Sequence, residues 1–182
     1  MGKPTGPARA ILFGGMLSGS SALLEEAASA LAGEFGPASG ISETWPFDHT
    51  DYYEAESGPR LLRRFVSFAG LVGEERLAAI KLRTNEMERE LARCSGALVE
   101  RPVNLDPGLL RLDSVVLAST KPAGHRIYVG SGVHAEITLV YDKGAYRPLP
   151  WTYPDFRSRG HLEYFERLRD SLKAARRGAE RG

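Results

Sequence analysis

Three stretches of the chain repeat apolar residues at spacings of three and four. The first predicts a helix over about Ser21–Phe35, with Leu24, Ala27, Ala28, Leu31 and Phe35 on one stripe. Glu25 and Glu26 fall in its first turn, where carboxylates suit the positive end of a helix, and Gly36-Pro37 stops it. A second helix is predicted from about Glu74 to Arg93, carried by Leu77, Ile80, Thr84, Met87 and Leu91. The third runs from about Arg159 to Ala175 on Leu162, Phe165, Leu168 and Leu172.

The intervals between them read as strands. Ala10 to Gly14 is a short apolar run before the first helix, and Ile41 to Phe47 and Arg64 to Phe68 flank a polar segment. After the second helix the pattern predicts a meander over Leu112–Ser119, Arg126–Val129, Val133–Tyr141 and Ala145–Leu149. The order β-α-β-β-α-β with further strands predicts an α+β fold, a mostly antiparallel sheet with three helices. Its simplest closed version is a ferredoxin-like βαββαβ core extended by a β-hairpin or meander. A length of 182 residues suits a single domain spanning 1–182, with flexible ends over about 1–8 and 176–182.

The hairpin can be given a register. Val133, Ala135, Ile137 and Leu139 alternate with His134, Glu136, Thr138 and Val140. A three-residue loop at Gly130-Ser131-Gly132 sets Val129 against Val133, Tyr128 against His134 and Arg126 against Glu136. A two-residue loop would mix the two faces. The chosen register predicts a wet face carrying Arg126, Tyr128, His134, Glu136 and Thr138. An ordinary solvated sheet face with one cross-strand ion pair meets the same pattern.

Composition narrows the classes of function. Lys and Arg number 24 against 23 Asp and Glu, which disfavours a protein built to coat nucleic acid or anionic membrane. One cysteine, Cys94, excludes an intrachain disulfide and a cysteine cluster, and reads as a small packing residue beside a conceivable reactive thiol. No segment has the length of a membrane span or the layout of a signal peptide, so a cytoplasmic protein is expected. Arg outnumbers Lys by 19 to 5, Gln is absent, and Asn85 and Asn104 are the two asparagines. This is the drift of a GC-rich genome, and it marks the surviving Asn and Lys residues as positions where substitution hurts.

Several segments carry candidate chemistry. Gly14-x4-Gly19-Ser20-Ser21 imitates a phosphate-binding loop but has Ser20 where the phosphate-neutralising lysine belongs, so a serine-capped helix start is the better reading. Phe47 to Glu54 is dense in oxygen and nitrogen, and Asp48, Asp51 and Glu54 could hold a divalent cation, with His49 admitting a transition metal. A polar turn explains the same residues. Lys81, Asn85 and Glu88 lie along one helical stripe, where a solvated charged flank is the usual explanation. Asn104 and Asp106 lie in Pro102-Val103-Asn104-Leu105-Asp106-Pro107-Gly108, which also has turn chemistry. Lys121, His125 and Arg126 put three cationic groups in six residues, able to hold a phosphate or carboxylate. Leu149 to Phe156 is a rigid belt or an aromatic pocket wall, and the stretch from Arg157 onward has 8 basic and 4 acidic residues.

These runs also carry a resemblance. Phe47-Asp48-x-Thr50-Asp51-Tyr52-Tyr53, Arg64-Phe65-Val66-Ser67-Phe68, Ile80-Lys81-x3-Asn85, Val103 to Gly108, His125-Arg126-Ile127-Tyr128 and Leu149 to Asp155 resemble a bacterial family known as domain of unknown function 4416. The resemblance spans about Ala10 to Leu168 and implies a small cytoplasmic protein with no assigned activity. Two functions follow as expectations. In the first, a small phosphate- or carboxylate-bearing ligand, a nucleotide among them, binds in a polar cleft, with or without catalysis. Lys81, Asn85, Asn104, Arg126, Glu136 and Asp155 bind it, and Tyr52, Trp151 or Tyr153 forms an aromatic wall. Asp51, Asp106 and His125 then do any acid–base work, or Asp48 and Asp51 hold a cation. In the second, a noncatalytic module binds RNA or a protein through the sheet face and the basic third helix. The first requires its residues to converge in one cleft.

Overall fold

The computed structural model describes residues 2–3, 6–48 and 60–179. In chain order its elements are β1 (Arg9–Ser18), α1 (Ser21–Phe35), β2 (Ala38–Ile41), β3 (Trp45–Phe47) and β4 (Leu61–Gly73). A 3-10 turn over Glu74–Arg76 leads into α2 (Leu77–Ser95). Then come β5 (Val103–Leu110), β6 (Ser114–Ser119), β7 (Ile127–Gly130), β8 (Val133–Asp142) and β9 (Ala145–Pro148). A second 3-10 turn, Asp155–Arg157, precedes α3 (Arg159–Ala179).

The fold is α+β, with the strands in one antiparallel sheet of order β2-β4-β1-β5-β6-β8-β7; β3 pairs with β4, and β9 with β8. Strands β5-β1-β4-β2 reproduce the fourth-first-third-second order of a ferredoxin-like core, and β6 to β9 extend it. The closing strand of that core is β5, the Pro-Gly segment with turn chemistry, and not the run beginning at Leu112. No described helix is long and apolar enough to cross a membrane.

Helices cover both faces of the sheet. On one, α1 and α2 bury Leu24, Leu31, Ile80 and Met87 against Leu12, Met16, Leu105 and Leu109. On the other, α3 and the turn before it bury Phe156, Phe165 and Leu172 against Phe13, Phe65, Leu117 and Leu139. Phe13 meets Phe165 edge-on at 5.1 Å and Phe65 stacks on Tyr164 at 5.5 Å. Sandwiched between the layers, β1 is buried from Ala10 to Ser18, so it reads as a continuous apolar run and not as an alternation.

Strand β1 outruns its predicted end because Gly14 and Gly15 lie inside it. A Cβ at Gly15 would come 3.1 Å from the Phe65 ring, so glycine there admits the aromatic layer. This leaves only Gly19-Ser20 as the β1–α1 connection, too short to cradle a phosphate in the manner of a nucleotide loop. Ser20 Oγ instead accepts from the Leu23 N–H at 3.3 Å, capping α1. The apolar run Ile41–Phe47 is two strands, β2 and β3. At the break Ser42 pairs its backbone N–H with the Phe65 carbonyl at 2.9 Å, and its Oγ accepts from the Phe65 N–H at 2.9 Å.

In the β7–β8 hairpin Tyr128 faces His134 as predicted, but Val133 pairs with Gly130 because Val129 is bulged out. A second irregularity, between Val115 and Val116 of β6, leaves Thr138 of β8 unmatched and puts Ile137 45% exposed and Leu139 buried. Glu136 and Thr138 are buried, so the face predicted to be wet is closed there.

Candidate functional site

The site exists because β5 and β6 part company. They pair only over Gly108–Leu110 and Val115–Leu117. The backbone N–H of Leu105 donates to Glu88 Oε1 at 2.6 Å, and its carbonyl accepts from Lys81 Nζ at 2.9 Å. Both groups therefore point away from β1, toward where β6 would lie. Backbone groups alternate sides along a strand, so Pro107 and Leu109 turn the same way. Leu109 pairs with Val116. Pro107 comes next along this register, opposite Ala118, and has no N–H to give. The ladder stops at the proline, and two side chains of α2 satisfy the opened edge in place of a strand.

Gly108 is the hinge of this divergence. A Cβ there would lie 2.4 Å from Phe13 Cζ and 2.7 Å from the Val116 carbonyl oxygen. No side chain fits where the last β5–β6 pair closes over the aromatic layer.

The gap is a cavity of about 480 Å³, within the roughly 300–1,000 Å³ usual for small-molecule sites. Lys81 and Asn85 reach it from α2, Asn104 and Asp106 from β5, Glu136 from β8 and Arg126 from the segment before β7. Arg63 of β4 and Asp155 of the second 3-10 turn also line it, together with Phe47, Tyr153 and Phe156. Five cationic residues border it, Arg63, Lys81, Arg101, Lys121 and Arg126, against the carboxylates of Asp106, Glu136 and Asp155.

Asp106 sits at the centre of the charge. Its Oδ1 is 3.4 Å from Lys81 Nζ, and its Oδ2 accepts from Asn104 Nδ2 at 2.6 Å and lies 3.7 Å from Arg63 Nη1. Burial works to raise its pKa, but the charges of Lys81, Arg63 and Arg101 and the Asn104 hydrogen bond outweigh it. The carboxyl is held below the usual range and stays ionised. Arg63 is 4% exposed, its guanidinium over the Phe47 ring at 5.1 Å and its Nε 3.0 Å from Asp155 Oδ2. Neither Nε nor Nη1 makes an aligned hydrogen bond. Glu88, beneath the β5 edge, takes Arg101 through Nε at 2.8 Å and Nη2 at 2.9 Å.

A second network closes the opposite end. Glu136 Oε2 accepts from Arg126 Nε at 2.8 Å and lies 3.1 Å from His125 Nε2, while its Oε1 accepts from Thr138 Oγ1 at 3.3 Å. The remaining Arg126 donors reach Ser119, the Lys121 carbonyl and Tyr153. The His125 ring stacks on Trp151 at 5.3 Å.

Of the residues selected from the sequence, the structure brings Lys81, Asn85, Asn104, Asp106, Arg126, Glu136 and Asp155 into one cleft. His125 and Trp151 are not among its walls; they stand behind Arg126 and Glu136. Asp48 is exposed and is not among the residues lining the cavity, and Asp51 and Tyr52, with His49 and Glu54, lie outside the described residues. Among the described residues no group of three or more His, Cys, Asp or Glu could hold a metal ion. Lys81 and Glu88 are buried, so the charged flank of α2 is not solvated. Arg63 and Arg101 also border the cleft without being singled out by the sequence patterns. Arg63 had a readable signal, a charge in the inward alternation Leu61-x-Arg63-x-Phe65; Arg101 had none.

Fold and site define an α+β chain with a ferredoxin-like core, opened beside its closing strand around a charged cleft. The chain belongs to the family described as Domain of unknown function (DUF4416), whose model matches residues 8–172. No curated protein and no solved structure matches it significantly.

Proposed function

We propose that the β5–β6 cleft binds a small molecule carrying a phosphate or carboxylate group. The observation that carries this reading is a surplus of unused donors over unused acceptors. Asp106, Glu88 and Glu136 have their oxygens engaged, and the one buried acceptor without an aligned hydrogen bond among the described carboxylates of the cleft, Asp155 Oδ2, is set against the equally unbonded Arg63 Nε at 3.0 Å. On the donor side, Arg63 Nη1 is buried without a hydrogen bond, Lys81 uses two of three N–H groups, and the Asn85 amide bonds to no described residue. A buried donor left unmade costs about 1–3 kcal/mol, and an oxyanion between Arg63, Lys81 and Asn85 supplies what they lack. Phe47 and Phe156 provide apolar wall for the rest of the molecule.

A thermal-shift screen of phosphate, pyrophosphate, mononucleotides, sugar phosphates and carboxylates tests this. A ligand at a hundred times its Kd adds about 2.7 kcal/mol, worth about 5–11 °C in a chain of this size. The same ligand should shift Asn85→Ala and Arg63→Gln far less. The reading fails if no oxyanion raises the midpoint, or if both variants respond as the parent does.

A further inference from the structure

Arg126 borders the cleft, yet its guanidinium is committed elsewhere. Nε donates to Glu136 at 2.8 Å, Nη1 to Ser119 Oγ at 3.0 Å and the Lys121 carbonyl at 2.8 Å, and Nη2 to Tyr153 Oη at 2.6 Å. Four of five N–H groups are used, and Glu136 is 1% exposed. An anion taking Arg126 directly would strip a buried carboxylate of its partner.

Tyr153 is in the converse position. Its oxygen accepts from Arg126, so its own proton must point elsewhere, and it donates to no described residue while lining the cleft. We propose that Tyr153 donates its hydroxyl proton as a hydrogen bond to an oxygen of the bound oxyanion, and that Arg126 positions it. This rests on the anion-cleft reading. A guanidinium donating to the phenol oxygen polarises the O–H and strengthens it as a donor. Burial pushes the phenol above its usual pKa, with Glu136 and Asp106 adding and Arg126 opposing, so the proton is held throughout the neutral range.

The residues behind give the donor a fixed seat. Glu136 holds Arg126, His125 touches Glu136 at 3.1 Å and stacks on Trp151, and Trp151 Nε1 donates to the Ile137 carbonyl at 2.9 Å. The line runs from β8 through Glu136 and Arg126 to Tyr153, and places His125 and Trp151 as supports.

Phosphate and carboxylate share the oxyanion this geometry recognises, so the full chain is titrated calorimetrically with inorganic phosphate and, separately, acetate. Tyr153→Phe should weaken whichever binds by about ten- to a hundredfold, the value of one hydrogen bond to a charged group. Arg126→Gln, made together with Glu136→Gln so that no buried carboxylate is stranded, should weaken it comparably. Adding Tyr153→Phe to that pair should cost nothing further, since Arg126 acts through Tyr153. The Tyr153 13Cζ resonance, identified by its loss in Tyr153→Phe, should move when the anion is added to the parent.

Tyr153→Phe binding as the parent does, or a motionless 13Cζ resonance, overturns the contact. Full additivity overturns the positioning role. If Arg63→Gln abolishes binding while Tyr153→Phe does not, the cleft reading stands and the Tyr153 assignment falls. If neither anion binds the parent, the Tyr153 assignment falls, and the cleft reading falls with it when no oxyanion of the thermal-shift screen raises the midpoint.

Discussion

Replacing Glu88 tests whether α2 substitutes for a strand along the open edge of β5. Glu88 is 8% exposed, and its carboxylate accepts the Leu105 N–H at 2.6 Å and two Arg101 N–H groups at 2.8 and 2.9 Å. In Glu88→Ala the Leu105 N–H becomes a buried donor without an acceptor, for which a charge-assisted bond implies a loss of about 1.5–3 kcal/mol. The Arg101 side chain is 28% exposed, so its share is discounted to about 1 kcal/mol. Together these give about 3 kcal/mol, or a fall in midpoint of about 6–12 °C for a chain of this size. Glu88→Gln keeps an oxygen for Leu105 and should cost about half as much. Urea unfolding measures the free energies, and native-state hydrogen exchange reads the Leu105 amide, which should lose protection in Glu88→Ala first. A loss under about 1 kcal/mol for Glu88→Ala, or equal losses for the two variants, would refute the reasoning.

Other perturbations separate the parts of the argument. Gly108→Ala places a Cβ 2.4 Å from Phe13 and should destabilise by about 1–3 kcal/mol in urea unfolding; a neutral effect would mean that the β5–β6 contact is not close-packed. Asp106 titrates lower in the folded chain than in the unfolded one, so it favours folding above the ordinary carboxylate pKa, about 3.9, and that contribution is lost as pH falls through its lower folded value. Asp106→Asn should therefore lose less of its thermal midpoint than the parent between neutral pH and about pH 3, and an equal loss would contradict the charge balance. Ser20→Ala removes the cap of α1 and should cost about 1 kcal/mol by thermal unfolding, with no loss of oxyanion binding. Abolished oxyanion binding in that variant would restore the phosphate-loop reading of Gly14 to Ser21.

Local regularities carried much of the fold. The boundaries of α1 match the spacing of Leu24 to Phe35 between a serine cap and Gly36-Pro37. The stripes of α2 and α3 are those of Leu77 to Met87 and Phe165 to Leu172. Strands are less legible, because β1 is apolar on both faces and β5 contains a Pro-Gly pair, which on its own reads as a turn. The scarcity of Asn singled out Asn85 and Asn104, and both border the cleft.

Periodicity and capping are settled between near neighbours in the chain, so helices, most strands and the α+β order could be read from the residues alone. The environment of a charge cannot be read that way. Lys81 and Glu88 have the spacing of a solvated flank, yet they are buried because an unpaired strand edge lies across from them. That edge is open because Pro107 faces β6 without an N–H. Four of the five Arg126 N–H groups are engaged by Glu136, Ser119, the Lys121 carbonyl and Tyr153, partners that its place in the sequence does not reveal. Those pairings join residues up to 27 positions apart, and only folding sets their distances.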